Sequence, residues 1–87
     1  MEINKNRPKL INELIIRDLD KSLLHSEKGK IYEFNNTAFE ILKMCSGNYT
    51  EDEIGRHIAE KYGIKKEEAM SDVKNVVSRL RKDGLVW

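Results

Sequence analysis

The sequence predicts an α+β fold in which a three-stranded antiparallel sheet precedes a three-helix bundle. Three observations carry the prediction. Residues 10–34 hold three short apolar or alternating runs joined by few residues. Residues 35–84 switch to helical spacing, punctuated by cap residues and glycines. The connections between the first three runs are too short for parallel crossovers, so the strands form a meander.

Taken in order, residues 1–9 are mostly polar, hold Pro8 as the only proline of the chain, and read as a flexible tail; the folded domain is expected over 10–87. Leu14, Ile15 and Ile16 make a short apolar run with two β-branched isoleucines, a strand over 13–17. A second strand falls within 19–26, centred on Leu23 and Leu24. Glu27-Lys28-Gly29-Lys30 is a turn in which Gly29 can supply the positive φ of a tight hairpin. The third strand, 30–34, alternates: Tyr32 and Phe34 face one way, Ile31 and Glu33 the other. It comes last and is expected at a sheet edge.

Asn35, Asn36 and Thr37 open helix one, where their side chains can accept from the free N–H groups of a first turn. Ala38, Ile41, Leu42 and Cys45 share its apolar face, and Gly47 stops it. Thr50-Glu51-Asp52-Glu53 is a capping box that starts helix two, with a stripe of Ile54, Ile58 and Tyr62 and a stop at Gly63. Helix three runs over 66–83. Its apolar residues are Ala69, Val73, Val76, Val77 and Leu80, and Leu85, Val86 and Trp87 fold back onto the core.

The totals narrow the function. A chain of 87 residues makes one domain and buries only about 60% of its unfolded surface, which leaves no room for a deep pocket. Sixteen basic and 15 acidic residues give a net charge of +1, a mixed solvated surface and not a phosphate-seeking one. The lone Cys45 excludes an internal disulfide and reads as a small core hydrophobe. No signal-peptide pattern and no apolar run near the ~20 residues of a membrane span is present, so the chain reads as cytoplasmic.

Catalytic chemistry is not indicated. His25 and His57 are far apart, read as exposed, and have no cluster at metal-ligand spacing; no cofactor is expected. The glycines are scattered and form no phosphate loop. Glu51-Asp52 and Glu67-Glu68 sit in first helical turns, where they complement the helix dipole. Lys74, Arg79, Arg81 and Lys82 on helix three leave a DNA-binding regulator as the alternative. Against it stand Asp72, Asp83, Glu67 and Glu68 on the same helix, and a hairpin that precedes the helix instead of following it as a wing.

The third strand carries unpaired N–H and C=O groups along one side. Native proteins blunt such edges or use them, and Lys30 and Glu33 could be the blunting. Used, the edge would accept an extended peptide as a fourth strand, with helix three as the other wall of a groove. By helical spacing Asp72, Val76, Arg79 and Asp83 form one stripe of helix three, offset from Ala69, Val73, Val77 and Leu80. The first stripe is assigned mainly to the groove and the second mainly to the core, with Val76 and Leu80 at the seam.

Residues 31–87 resemble the PqqD family and, more broadly, the recognition elements that bind leader peptides of ribosomally made, modified peptides. The resemblance lies in EFNNTAFEILKMCSGNYTEDEI at 33–54, YGI at 62–64 and DVKNVVSRLRKDGLV at 72–86. Asn35, Thr37 and Ala38 match the family's opening of helix one; Asp72-Val73 and Gly84-Leu85 match its last helix. A Cys-Asp-Gly that commonly closes helix one is here Cys45-Ser46-Gly47, which favours a PqqD-like relative over the quinone-pathway protein itself. The resemblance implies a winged-helix-like domain without catalytic activity. It implies leader binding along Ile31, Tyr32, Glu33 and Phe34 of strand three and Asp72, Val73, Val76, Arg79, Leu80 and Asp83 of helix three. The peptide would be delivered to a modifying enzyme, such as a radical SAM enzyme or a leader protease with its cyclase; neither nucleic acid nor membrane is an expected partner.

Overall fold

The computed structural model describes residues 7–87. Strands β1 (Leu14–Arg17), β2 (Ser22–His25) and β3 (Ile31–Glu33) are followed by helices α1 (Asn36–Lys43), α2 (Glu51–Tyr62) and α3 (Lys66–Lys82). The sheet is an antiparallel meander in the order β1-β2-β3. Its register aligns Ile16, Leu23 and Tyr32 in one row and Ile15, Leu24 and Ile31 in the next. Successive rows face opposite sides of the sheet. The row containing the buried Leu23 and Tyr32 therefore faces the core, and Ile15 and Ile31 face solvent.

The second strand, Ser22–His25, lies within the expected window and is centred on Leu23 and Leu24; residues 18–21 before it turn the chain. Lys21 there adopts φ +51°, Leu19 is fully exposed, and Arg17 pairs with Asp20 at 2.7 Å. The β2–β3 turn uses Gly29 at φ +66°, whose N–H donates to the His25 carbonyl at 2.8 Å. His25 is buried, not exposed as its sequence context suggested. It shares the core-facing side with Leu23, and its Nδ1 accepts from the Lys28 N–H at 3.3 Å.

Helix α1 is capped by Asn35, whose side chain accepts from the Ala38 N–H at 2.8 Å. It ends at Lys43, earlier than Gly47, because the backbone at 45–47 turns to bond an extended segment from the N-terminal side. The Leu10 N–H donates to the Cys45 carbonyl, and the Gly47 N–H donates to the Pro8 carbonyl. On its other side this segment bonds the chain's end: the Trp87 N–H reaches Lys9 and the Ile11 N–H reaches Leu85. Of the expected tail, residues 1–6 lie outside the described residues, whereas Pro8 is fully buried and Lys9 bridges Ser46. Proline suits the position, since it has no N–H to leave unpaired and its carbonyl is used.

Helix α2 has the full capping box: Thr50 Oγ1 accepts from the Glu53 N–H, and Glu53 accepts from the Thr50 N–H. Tyr62 is 38% exposed instead of completing the apolar stripe. Each i+4 step rotates about 40° around the helix, so two steps from Ile54 carry Tyr62 off the buried face. Ile64, just past the left-handed Gly63, packs on the core in its place. Helix α3 buries Ala69, Val73, Val77 and Leu80, while Val76 is only partly buried. Leu85 and Val86 close the core, but Trp87 stays half exposed.

Candidate functional site

The outward edge of β3 can be read from its hydrogen bonds. The Phe34 N–H donates to the Lys21 carbonyl at 3.1 Å, and the His25 N–H donates to the Lys30 carbonyl at 2.8 Å. Residues 30, 32 and 34 therefore turn their backbone groups toward β2. By the alternation of an antiparallel ladder, Ile31 and Glu33 turn theirs away. The opposite edge, β1, is partly closed by the chain itself, where the Leu14 N–H turns back to the Ile11 carbonyl at 3.4 Å.

Arg79 links the open edge of β3 to α3. The Arg79 guanidinium lies over the Phe34 ring, 4.6 Å from its centroid, and its Nη2 donates to the Glu33 carbonyl at 3.4 Å. Arg79 thus caps one of the four outward backbone groups. Among the described residues, the N–H and C=O of Ile31 and the N–H of Glu33 have no hydrogen-bond partner. Lys30 covers the Tyr32 ring at 5.0 Å. A cation therefore flanks each of the two aromatic rings on the inner side of the edge.

Nearer the N-terminus of α3, its exposed surface adjoins α1. Asp72 and Val76 line a shallow depression of about 300 Å³ together with Asn35, Thr37, Ala38, Ile41 and Asn75. The sequence-selected residues thus divide. Ile31 and Glu33 are exposed on the edge, Arg79 bridges the edge to α3, and Asp72 and Val76 stand on the adjoining wall. Tyr32 and Phe34 are buried beneath the edge. Val73 and Leu80 are fully buried and present no surface to a ligand. Asp83 caps the C-terminus of α3, exposed and one turn beyond Arg79.

Lys30, Asn35, Thr37 and Asn75 were not selected from the sequence. Lys30 was legible, because strand alternation puts it on the same side as Tyr32. Asn75 was not, since the helix three stripe through Asp72 and Val76 passes beside it.

Charge elsewhere is spent on structure. Glu40 reaches Lys61 at 2.9 Å, with Lys43 and His57 also near. The hydrogen bond from Lys61 holds its carboxyl below the ordinary value, against the opposing effect of partial burial. Burial pushes the Cys45 thiol up to about 12, and its Sγ lies 3.5 Å from the Ile41 carbonyl. Among the described residues no group of three or more His, Cys, Asp and Glu side chains could hold a metal ion. Among the described residues, no helix is long and apolar enough to cross a membrane.

With this geometry in view, the chain can be set beside known proteins. The pattern of the PqqD family, coenzyme PQQ synthesis protein D, matches residues 21–86. A solved structure described as lasso peptide synthetase B1 complexed with the leader peptide superimposes with a TM-score of 0.80. The match covers 93% of this chain and 98% of that one at 19% sequence identity, a likeness of fold. No curated protein matches in sequence.

Proposed function

Because the chain belongs to the PqqD family, we propose that it binds the leader segment of a ribosomally made precursor peptide and presents it to a modifying enzyme. The observation that carries this reading is the edge of β3, where Ile31 and Glu33 turn backbone groups away from β2, beside Arg79 of α3. An extended leader adds there as a fourth strand. Main-chain hydrogen bonds supply affinity and the flanking side chains supply selectivity. The likeness in fold to a lasso peptide synthetase component captured with a leader peptide supports the same reading.

The chain's contribution is binding, without chemistry of its own. A leader held along β3 tethers the peptide's remainder beside the enzyme, at an effective concentration in the mM range for a short linker. Ordering a disordered leader costs about 2–5 kcal/mol, which the strand hydrogen bonds and buried side chains must exceed. The candidate partners are a radical SAM enzyme, a leader protease working with a cyclase, or another modifying enzyme.

Duplex DNA is disfavoured as the ligand. Arg79, one of the cations that made α3 resemble a recognition helix, is turned onto Phe34 and the Glu33 carbonyl. Titrating labelled leader segments from short reading frames beside this chain's gene, and labelled duplex DNA, tests the reading at moderate salt. Saturable leader binding supports it; micromolar DNA binding with no leader binding contradicts it.

A further inference from the structure

The solvent face of the sheet specifies side chains that a strand added to β3 should carry. Ile15, Leu24 and Ile31 form a cross-strand row on this face. Ile15 is 50% and Ile31 49% exposed, so the row is apolar and stops abruptly at the open edge. The parallel row is Arg17, Ser22 and Glu33. Arg17 is engaged by Asp20 at 2.7 Å. Glu33, at the open end, is exposed, and among the described residues no cation pairs with its carboxylate. The nearby cations Lys30 and Arg79 lie over Tyr32 and Phe34, on the other side of the strand.

An added strand sets one residue opposite Ile31 and one opposite Glu33, two apart and on this same face, with Cβ atoms about 4.5–5.5 Å from their partners. Both existing pairings are antiparallel, and sheets of one sense are favoured. In that sense the residue facing Glu33 precedes the residue facing Ile31. Resting on the leader-binding reading above, we propose that the chain selects extended peptides in which Lys or Arg stands two residues before a β-branched or aromatic residue. The cation faces Glu33, and the apolar residue extends the Ile15–Leu24–Ile31 row. A second copy of the chain is a poor occupant. Pairing β3 with its own copy in the register centred on Tyr32 opposes Ile31 to Glu33 twice, an apolar group against a carboxylate.

The test is selection of a displayed library of random dodecapeptides on the whole immobilised chain. Wild type, Glu33→Lys and the edge-blocked Ile31→Pro are compared, each checked for folding by circular dichroism. Wild type is expected to enrich peptides with Lys or Arg two positions before an apolar residue, and Glu33→Lys to exchange that cation for Asp or Glu. In a synthetic peptide of the enriched sequence, Lys→Glu should weaken wild-type binding roughly threefold and strengthen binding to Glu33→Lys by a similar factor. Two results overturn the proposal and are distinguishable. Peptides that lose binding to Ile31→Pro yet ignore the charge at position 33 overturn it alone and leave the leader reading intact. Failure to enrich any peptide that depends on the β3 edge overturns both.

Discussion

Arg79 lies over the ring of Phe34, 4.6 Å from its centroid, and links α3 to the edge of β3 through the Glu33 carbonyl. This contact does two jobs. It covers an aromatic side chain at the edge of β3, and under the proposed strand addition it sets a guanidinium beside the peptide residue opposite Tyr32. Arg79→Ala should therefore lower stability by about 0.5–1 kcal/mol, the worth of an exposed cation–π contact. It should also weaken binding of a leader with an acidic side chain at that position. Arg79→Lys should restore only part of both, because an ammonium keeps the charge without the planar stacking surface. Denaturant melts and peptide titrations on the two variants measure these effects.

Leu80, the next residue along α3, gives the opposite pattern. It is fully buried in the core, and Leu80→Ala should cost roughly 2–5 kcal/mol of stability. Any loss of leader binding should follow the fraction unfolded and disappear under conditions in which the variant is fully folded. Melts run beside binding isotherms separate this from a direct contact.

Proline substitution along β3 should alternate in effect. Ile31→Pro and Glu33→Pro remove outward N–H groups and should leave the fold largely intact. Each should weaken leader binding at least tenfold, about 1.4 kcal/mol. Tyr32 pairs with Leu23 inside the sheet. Tyr32→Pro removes a ladder hydrogen bond and a buried ring, and should unfold much of the domain. Circular dichroism and titration of the three variants read the pattern directly.

Cys45 should behave as a core residue. With its thiol raised to about 12 by burial, it should resist alkylation at pH 8 in the native state. It should react fully in denaturant, as mass spectrometry of iodoacetamide-treated protein would report.

Glu40 predicts a small acid-limb effect. Its carboxyl is lowered in the folded state by the Lys61 hydrogen bond, from an ordinary value of 4.5. A depressed folded value stabilises the protein above the unfolded value, and this is lost as pH falls through the folded one. Below about pH 4.5 wild type should thus lose more stability on acidification than Glu40→Gln does. The stability difference between the two proteins, followed by urea melts from pH 6 to 3, isolates this group from Asp52 and Glu53.

Much of the fold was legible because single local signals governed it. Alternation in Ile31-Tyr32-Glu33-Phe34 gave the inward and outward faces of β3, and the Thr50–Glu53 box gave the start of α2. The helical stripe separated the buried Ala69, Val73, Val77 and Leu80 from Arg79. Features set by contacts distant in sequence were not legible. Pro8 and Lys9 look like tail until 45–47 and 85–87 are known to bond them, and His25 looks exposed until the turn at Lys28 folds onto its ring. For the same reason the stripe marked Arg79 as facing the groove, while its seat on Phe34 depends on how β3 and α3 meet. Val73 and Leu80 entered the peptide-contacting set through the family resemblance, although the core stripe already claimed them.

Amide hydrogen exchange along β3, with and without a bound leader peptide, tests the central claim most directly. In the free protein the Ile31 and Glu33 N–H groups should exchange rapidly, whereas the Tyr32 N–H, turned toward β2, should be protected. On saturation with the peptide, Ile31 and Glu33 should become protected and Tyr32 should stay so. A peptide that binds tightly while Ile31 and Glu33 continue to exchange as in the free chain would contradict strand addition to this edge.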